Sequence, residues 1–213
     1  MTDVRTPPGR LRALYGTAGS QLLVLTLWFS ASAVAPQLSD EWRLGEGAAT
    51  GLTLAVQIGF VVGALGFAVA AVPDIVPSRR LFAITGLGGA GANAALVLLD
   101  AGDYGIAFAL RLVTGIALAG VYPSGLKVMA GWFRRGRGMA LGVLVGALTV
   151  GSAGPHLIRG LGLEWRGVIL GASFLAVAGV VVMVVVVTDG PFETRRTMFS
   201  LRHLRAIVSN RGV

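Results

Sequence analysis

The chain has 213 residues, of which 54% are hydrophobic and only 13% are charged, and its mean hydropathy is +0.77. A soluble domain usually carries about 25% charged residues, so this composition excludes an ordinary soluble protein and predicts a membrane protein. The net charge is +8. The absence of cysteine excludes disulfides, thiolate metal sites and thiol catalysis.

Six apolar segments are long enough to cross a bilayer, which requires about 20 residues. They cover residues 14–38, 47–72, 81–99, 104–126, 138–158 and 167–188. The alternating polarity of membrane strands is absent, so we expect an all-α, polytopic bundle. The basic start, the apolar run and "ASA" at 31–33 also suit a cleavable signal peptide. The apolar stretch continues beyond "ASA" and five spans follow, which favours an uncleaved first helix.

Lysine and arginine are concentrated on one side of the predicted membrane. Three lie in the N-terminal tail, two in the second loop, four in the fourth loop and five in the C-terminal tail, whereas the other side has only Arg43, Arg159 and Arg166. The positive-inside rule then places both termini in the cytoplasm of an inner or plasma membrane. This predicts a cytoplasmic tail at 1–13, a bundle at 14–188 and a cytoplasmic linker or tail at 189–213. Topology thus explains the net charge, and no nucleic-acid partner is expected.

Small residues recur at helical spacing in the second and fifth spans. Such residues let helices approach closely, and the same smooth faces would also let helices rock against each other. The residues that we assign to helix packing are Gly59, Gly63, Gly115, Gly138, Gly142, Gly146, Gly154 and Pro155. Proline removes a backbone hydrogen bond, so we expect a bend at Pro155 and either a bend or the end of the helix at Pro123.

One permanent charge lies deep within the run "AFALRLVTGIALAG" at 107–120: Arg111. Its guanidinium stays protonated, and burying it in hydrocarbon costs several kcal/mol. No Asp or Glu lies inside the six segments. The expected counter-charge is therefore Asp100 or Asp103 at the outer rim, a carboxylate in a second half, or an anionic substrate. A role in substrate binding or coupling and a role as a structural tie between helices both remain open.

Other polar or aromatic side chains inside the spans are also candidates for substrate contact, or for plain helix–helix bonding. They are Gln57, Tyr122, Trp28, Ser30 and Asn93. His156 is the one side chain in a span that ordinarily titrates near neutral pH, which makes it a candidate for proton coupling. Ser124 and His156 belong near opposite membrane surfaces, beyond the reach that a nucleophile and its base require. We expect no enzyme activity, no metal and no cofactor.

Four stretches in order resemble the major facilitator superfamily of secondary transporters. They are "DIVPSRR" at 74–80, "RLVTG" at 111–115, "GWFRRGRGMALG" at 131–142 and "GSAGPH" at 151–156. The resemblance covers essentially the whole chain as the family's first six helices. It implies two inverted three-helix repeats that transport a small solute by alternating access. It also implies a cluster of cytoplasmic charges that stabilises one conformation of the transporter. The residues of this predicted cluster are Asp74, Arg79, Arg80, Arg134, Arg135 and Arg137. The positive-inside rule alone would also explain their presence.

Two points of function stay open. In "GSAGPH" the Gly-Pro is followed by His156 rather than by the family's usual glycines, so symport, antiport and uniport are all compatible. The family usually has twelve helices in two halves with the substrate site between them. We therefore expect either a truncated product or a natural half that pairs with another copy. The alternative is a non-transporting membrane interaction or regulatory protein.

Overall fold

The computed structural model describes residues 7–134 and 136–192. Within that part of the chain the α-helices, in order, are α1 (Arg10–Trp42), α2 (Glu46–Val69), α3 (Val72–Ile75), α4 (Ser78–Ala95), α5 (Tyr104–Trp132), α6 (Arg137–Gly160) and α7 (Trp165–Val185). Two 3-10 turns, Leu96–Leu98 and Ala101–Asp103, connect α4 to α5. All but α3 are long and apolar enough to cross a membrane. The predicted all-α polytopic fold is confirmed.

The predicted spans agree with the helices in number and order but differ at their ends. α1 is longer at both ends than the predicted 14–38, and it stops where Arg43 takes a positive φ of 53° and donates its backbone N–H to the Ser39 carbonyl. The short helix α3 was not predicted. Hydropathy marks apolar residues whether or not they are helical. α1 therefore extends beyond its predicted span into polar residues, whereas α2, α4 and α7 end before theirs. Most of the two predicted tails, at 1–6 and 193–213, lies outside the described residues.

Proline lies inside three of the long helices. Pro123 is within α5, so the prediction that the helix could end there is wrong. Pro155 lies within α6, and Pro36, which the sequence analysis overlooked, lies within α1. Membrane helices tolerate proline because neighbouring helices and hydroxyl side chains satisfy the freed backbone groups.

Helices α1 and α5 occupy the centre of the bundle. α5 packs mainly against α2 and α4, and α1 packs mainly against α6 and α7. Exchanging α1 with α5, α2 with α6 and α4 with α7 therefore converts each major contact into another one, and the α4–α7 contact into itself. The first set of helices (α1, α2 and α4) crosses the membrane three times. The second set (α5, α6 and α7) therefore begins on the opposite side of the membrane. The packing is that of two inverted three-helix repeats.

The buried side chains form two apolar clusters along the bundle axis. The larger one includes Leu25, Phe82 and Met183, and the smaller one, towards the end where α1 stops and α7 begins, includes Trp42 and Trp165. Fully buried polar side chains, Arg111 among them, interrupt this apolar interior. Among the six long helices α2 and α6 bury the smallest share of their membrane-spanning residues, so each leaves one face uncovered.

Candidate functional site

Arg111 lies two turns into α5 with its side chain fully buried. Its Nη1 donates to Asn93 Oδ1 at 2.8 Å and to Ser30 Oγ at 3.1 Å. Nη1 also lies 3.2 Å from the Leu27 carbonyl, and Nη2 donates to the Trp28 carbonyl at 3.1 Å. One guanidinium therefore links α5 to α1 and α4.

The bonds continue from Asn93 into a fourth helix. Ser30 Oγ lies 2.8 Å from Asn93 Oδ1, and Asn93 Nδ2 donates to Ser173 Oγ at 2.9 Å and to the Ile169 carbonyl at 3.2 Å. We call Arg111, Ser30, Asn93 and Ser173 the arginine network. Because its members come from α1, α4, α5 and α7, the network joins four of the six long helices at one level.

Neutral oxygens stabilise the charge of Arg111. The expectation that Asp100 or Asp103 pairs with it is wrong, because Asp100 pairs with Arg166 at 3.5 Å and Asp103 accepts the Asp100 N–H at 3.1 Å. Insertion scales put an arginine at a helix centre at about 3 kcal/mol, and one hydrogen bond to a charged group contributes about 1.5–3 kcal/mol. Two or three bonds are therefore enough. Among the described residues, Arg111 Nε has no partner.

A narrow cavity beside Arg111 separates it from the end of the bundle where α1 stops. Its volume is about 10 Å³, and Leu38, Trp42 and Trp165 contribute to its lining. A cavity of this size holds at most one water molecule. No solute can therefore occupy this cavity beside Arg111 in the conformation seen here.

A second polar side chain, Gln21, also links α1 and α5. Here the donor is on α1 and the acceptor on α5, the reverse of Arg111. It is fully buried, and its Nε2 donates to the Tyr122 carbonyl at 3.0 Å. Gly125 makes room for it, since a Cβ there would lie 2.5 Å from Gln21 Nε2. Gln21 was not predicted as a site residue, although an amide inside an apolar span is a signal of the same kind as Gln57.

The side chains of the remaining substrate candidates take no part in the arginine network, although the Trp28 carbonyl accepts a bond from Arg111. Gln57 on α2 and His156 on α6 are exposed on uncovered helix faces. Trp28 is half-buried with its ring 4.9 Å from that of Phe60, and Tyr122 is half-buried in α5. The seven candidates therefore do not form one site: Arg111, Ser30 and Asn93 come together, Trp28 adds a backbone carbonyl, and the other three are separate.

The glycines divide into close-packed and uncovered groups. Gly115 lies where a Cβ would meet the Val56 carbonyl of α2, and Gly154 lies where a Cβ would be 2.8 Å from Thr26 Cγ2. Around Gly138, Gly142 and Gly146, in contrast, a Cβ would meet nothing within 4 Å. Within residues 7–134 and 136–192 these three glycines pack against no other helix, so their assignment to helix packing stays a prediction. Pro155 is buried on the opposite face of α6.

The predicted cluster of loop charges is divided among separate contacts at one end of the bundle. Asp74 pairs with Lys127 at 3.6 Å, and Arg79 lies 3.8 Å from Asp189 and donates to the Val184 carbonyl. Arg137 donates to the Phe133 carbonyl, Arg134 lies over Phe192, and Arg80 is exposed. Arg135 lies outside the described residues. The described members of this set therefore make separate contacts rather than one joint cluster.

The part of the chain that the structure describes contains neither a metal centre nor a serine–histidine pair. No three His, Asp or Glu side chains of residues 7–134 and 136–192 lie close enough to hold a metal ion. Ser124 is buried and donates to the Gly120 carbonyl at 2.6 Å, whereas His156 is exposed on another helix.

The sequence was compared with models of known protein families, and one family model matches it. Residues 17–211 match the family model of the Major Facilitator Superfamily. The chain belongs to this superfamily. Members of the major facilitator superfamily are membrane transporters rather than enzymes, so the chain is a multi-pass membrane protein of a transporter family. No curated protein matches the chain significantly.

Proposed function

We propose that this chain is the N-terminal half of a secondary active transporter that moves a small solute by alternating access. The observation that carries the proposal is the contrast between a bundle interior tied by Arg111 and the uncovered faces of α2 and α6. Alternating access requires halves that rock as rigid units around a site between them. The arginine network supplies rigidity, and the uncovered faces supply a surface for the other half.

In this proposal Arg111 positions helices and does not touch the solute. Its full burial and its neutral partners support a tie between α1, α4 and α5. They also remove the argument for an anionic solute, which rested on an unpaired cation. The solute contacts that we propose are instead Gln57 on α2, Trp28 on α1 and Tyr122 on α5. His156 is the residue that we propose for proton coupling.

The partner that we propose is a second six-helix half, either a continuation of the same protein or another copy. Gly138, Gly142 and Gly146 form an uncovered stripe on α6, and small residues let a facing helix approach closely. The basic ends of the helices support an orientation with both termini in the cytoplasm of the inner or plasma membrane.

The decisive experiment is a flux assay. The reading frame is first followed beyond Val213 to see whether six further spans occur, and the longer form, or the chain alone if there is none, is reconstituted into liposomes. Gradient-driven uptake from a broad panel of solutes is the expected result. Absence of flux for every solute, in liposomes where the protein is folded and correctly inserted, would contradict transport and favour a regulatory membrane protein.

A variant at Gln57 tests the proposed solute contact. Gln57→Ala removes an exposed amide that bonds to no other helix among the described residues, so stability should not change. Loss of one hydrogen bond to the solute should raise KM about five- to tenfold with kcat little altered. Phe174→Ala, at an exposed position on α7, is the matched control. An unchanged KM in Gln57→Ala would exclude this residue from the solute site.

A further inference from the structure

Four arginines collect where α1 begins and where α5 connects to α6: Arg10, Arg12, Arg134 and Arg137. We call them the arginine edge. The Arg10 guanidinium lies over the Phe133 ring, 4.3 Å from its centroid, and Arg137 Nε donates to the Phe133 carbonyl at 2.6 Å. Arg10 Nη2 also approaches the position of a Cβ on Gly136 to 3.8 Å. Two arginines from different helices thus meet on one phenylalanine.

No carboxylate of the described residues balances the arginine edge. The ion pairs among the described residues involve Arg79, Lys127 and Arg166, none of which belongs to the arginine edge, and the first turns of α1 and α6 contain no acidic residue. Lys127 shows the contrast at the same end of the bundle, since Asp74 neutralises it. Uncompensated guanidiniums held by an aromatic face keep N–H donors free for an external anion.

Apolar surface lies directly beside these charges. A shallow cavity of about 30 Å³ is lined by Arg137 together with Met129, Ala130, Ala140 and Leu141. Leu141 is 39% exposed on α6. Charge at the helix end and apolar side chains one turn deeper fit a molecule with an anionic head and a hydrocarbon tail.

We propose that the arginine edge binds the headgroup phosphate of an anionic phospholipid, whose acyl chain lies against Ala130 and Leu141. Guanidinium groups match phosphate oxygens in geometry and can bind them in a bidentate manner. Basic clusters at the membrane surface attract anionic lipids, and the apolar cavity distinguishes a lipid from free phosphate. The proposal is independent of transport.

The test measures which lipids the protein retains. The chain is purified from nanodiscs containing equal amounts of phosphatidylglycerol and phosphatidylcholine, and bound lipids are counted by native mass spectrometry. Wild type should retain phosphatidylglycerol preferentially, and Arg10→Gln/Arg137→Gln should lower this preference about tenfold. Arg10→Lys/Arg137→Lys preserves the charge and should retain most of it, which separates loss of binding from loss of folding.

The matched control is Arg43→Gln/Arg80→Gln, which removes two exposed arginines elsewhere and has the same net charge. It should retain phosphatidylglycerol as wild type does. Equal loss in both glutamine doubles would reduce the effect to net charge and overturn the site. An unchanged preference in Arg10→Gln/Arg137→Gln would also overturn it. Displacement of the lipid by an equal concentration of inorganic phosphate would identify a free-anion site instead.

Discussion

The interior around Arg111 and the uncovered faces of α2 and α6 contain the same kinds of residue, namely glycines and uncharged polar side chains within apolar helices. In the interior Asn93 makes bonds to α5 and α7, and Gly115 lies against the backbone of α2. On the uncovered faces Gln57 is exposed and Gly142 meets no neighbour. Residue type therefore does not decide the role of these positions. The side of the helix decides it, and equivalent substitutions should have unequal effects in the two regions.

The largest expected effect is in the arginine network. Asn93→Leu removes the acceptor closest to the Arg111 guanidinium and leaves a buried cation poorly paired, which should lower the free energy of unfolding by about 3 kcal/mol. Thermal unfolding in detergent, followed by tryptophan fluorescence, measures this loss. Arg111→Met/Asn93→Leu should be more stable than Asn93→Leu alone, since apolar side chains replace both partners. If the double variant is less stable than Asn93→Leu, the lost stability of Asn93→Leu does not come from leaving the Arg111 charge unpaired.

An intermediate effect is expected from paired alanine substitutions of glycine. Gly115→Ala drives a Cβ into the Val56 carbonyl and should destabilise the protein by about 1–3 kcal/mol. Gly142→Ala adds a methyl group where nothing lies within 4 Å, and it should be neutral or stabilising by up to about 1 kcal/mol because alanine favours helix. The two thermal midpoints are compared under one condition. Equal destabilisation would mean that Gly142 also packs closely.

The smallest effect is expected at the second crossing between α1 and α5. Gln21→Ala removes one bond to the Tyr122 carbonyl, and hydrogen bonds between membrane helices average about 0.6 kcal/mol. We expect a loss of about 1 kcal/mol, since a small cavity is added. Gln57→Ala, on the uncovered face of α2, is the matched control and should lie within about 0.5 kcal/mol of wild type. A loss as large as that of Asn93→Leu would mean that Gln21 contributes as much to the free energy of unfolding as the arginine network does.

The number and order of the helices could be predicted from the sequence, because a bilayer demands long apolar segments. Their ends could not, since α1 continues through the polar turn that ends at Trp42 and α5 continues past Lys127 to Trp132. The family resemblance supplied the inverted repeats. No pattern in the sequence shows which helices cross at which level, so only the fold reveals the packing between them.

The surroundings of Arg111 show why the candidate site was harder to predict than the fold. The sequence shows a cation without a carboxylate, which suggests a missing counter-charge. The structure supplies the Leu27 and Trp28 carbonyls, and backbone oxygens are invisible in any list of side chains. The same limit applies to Gly142: helical spacing defines a stripe but does not reveal whether another helix covers it.

The position of Arg111 along the chain has a consequence for biosynthesis. Every oxygen that accepts a hydrogen bond from its guanidinium belongs to a residue made earlier by the ribosome: Leu27, Trp28, Ser30 and Asn93. When α5 leaves the translocon, its acceptors are already in the bilayer on α1 and α4. Ser173 is made last, and within the described residues its hydroxyl bonds only to Asn93 and to its own helix. Arg111 can therefore form its hydrogen bonds to α1 and α4 as soon as α5 enters the bilayer, before α7 is inserted.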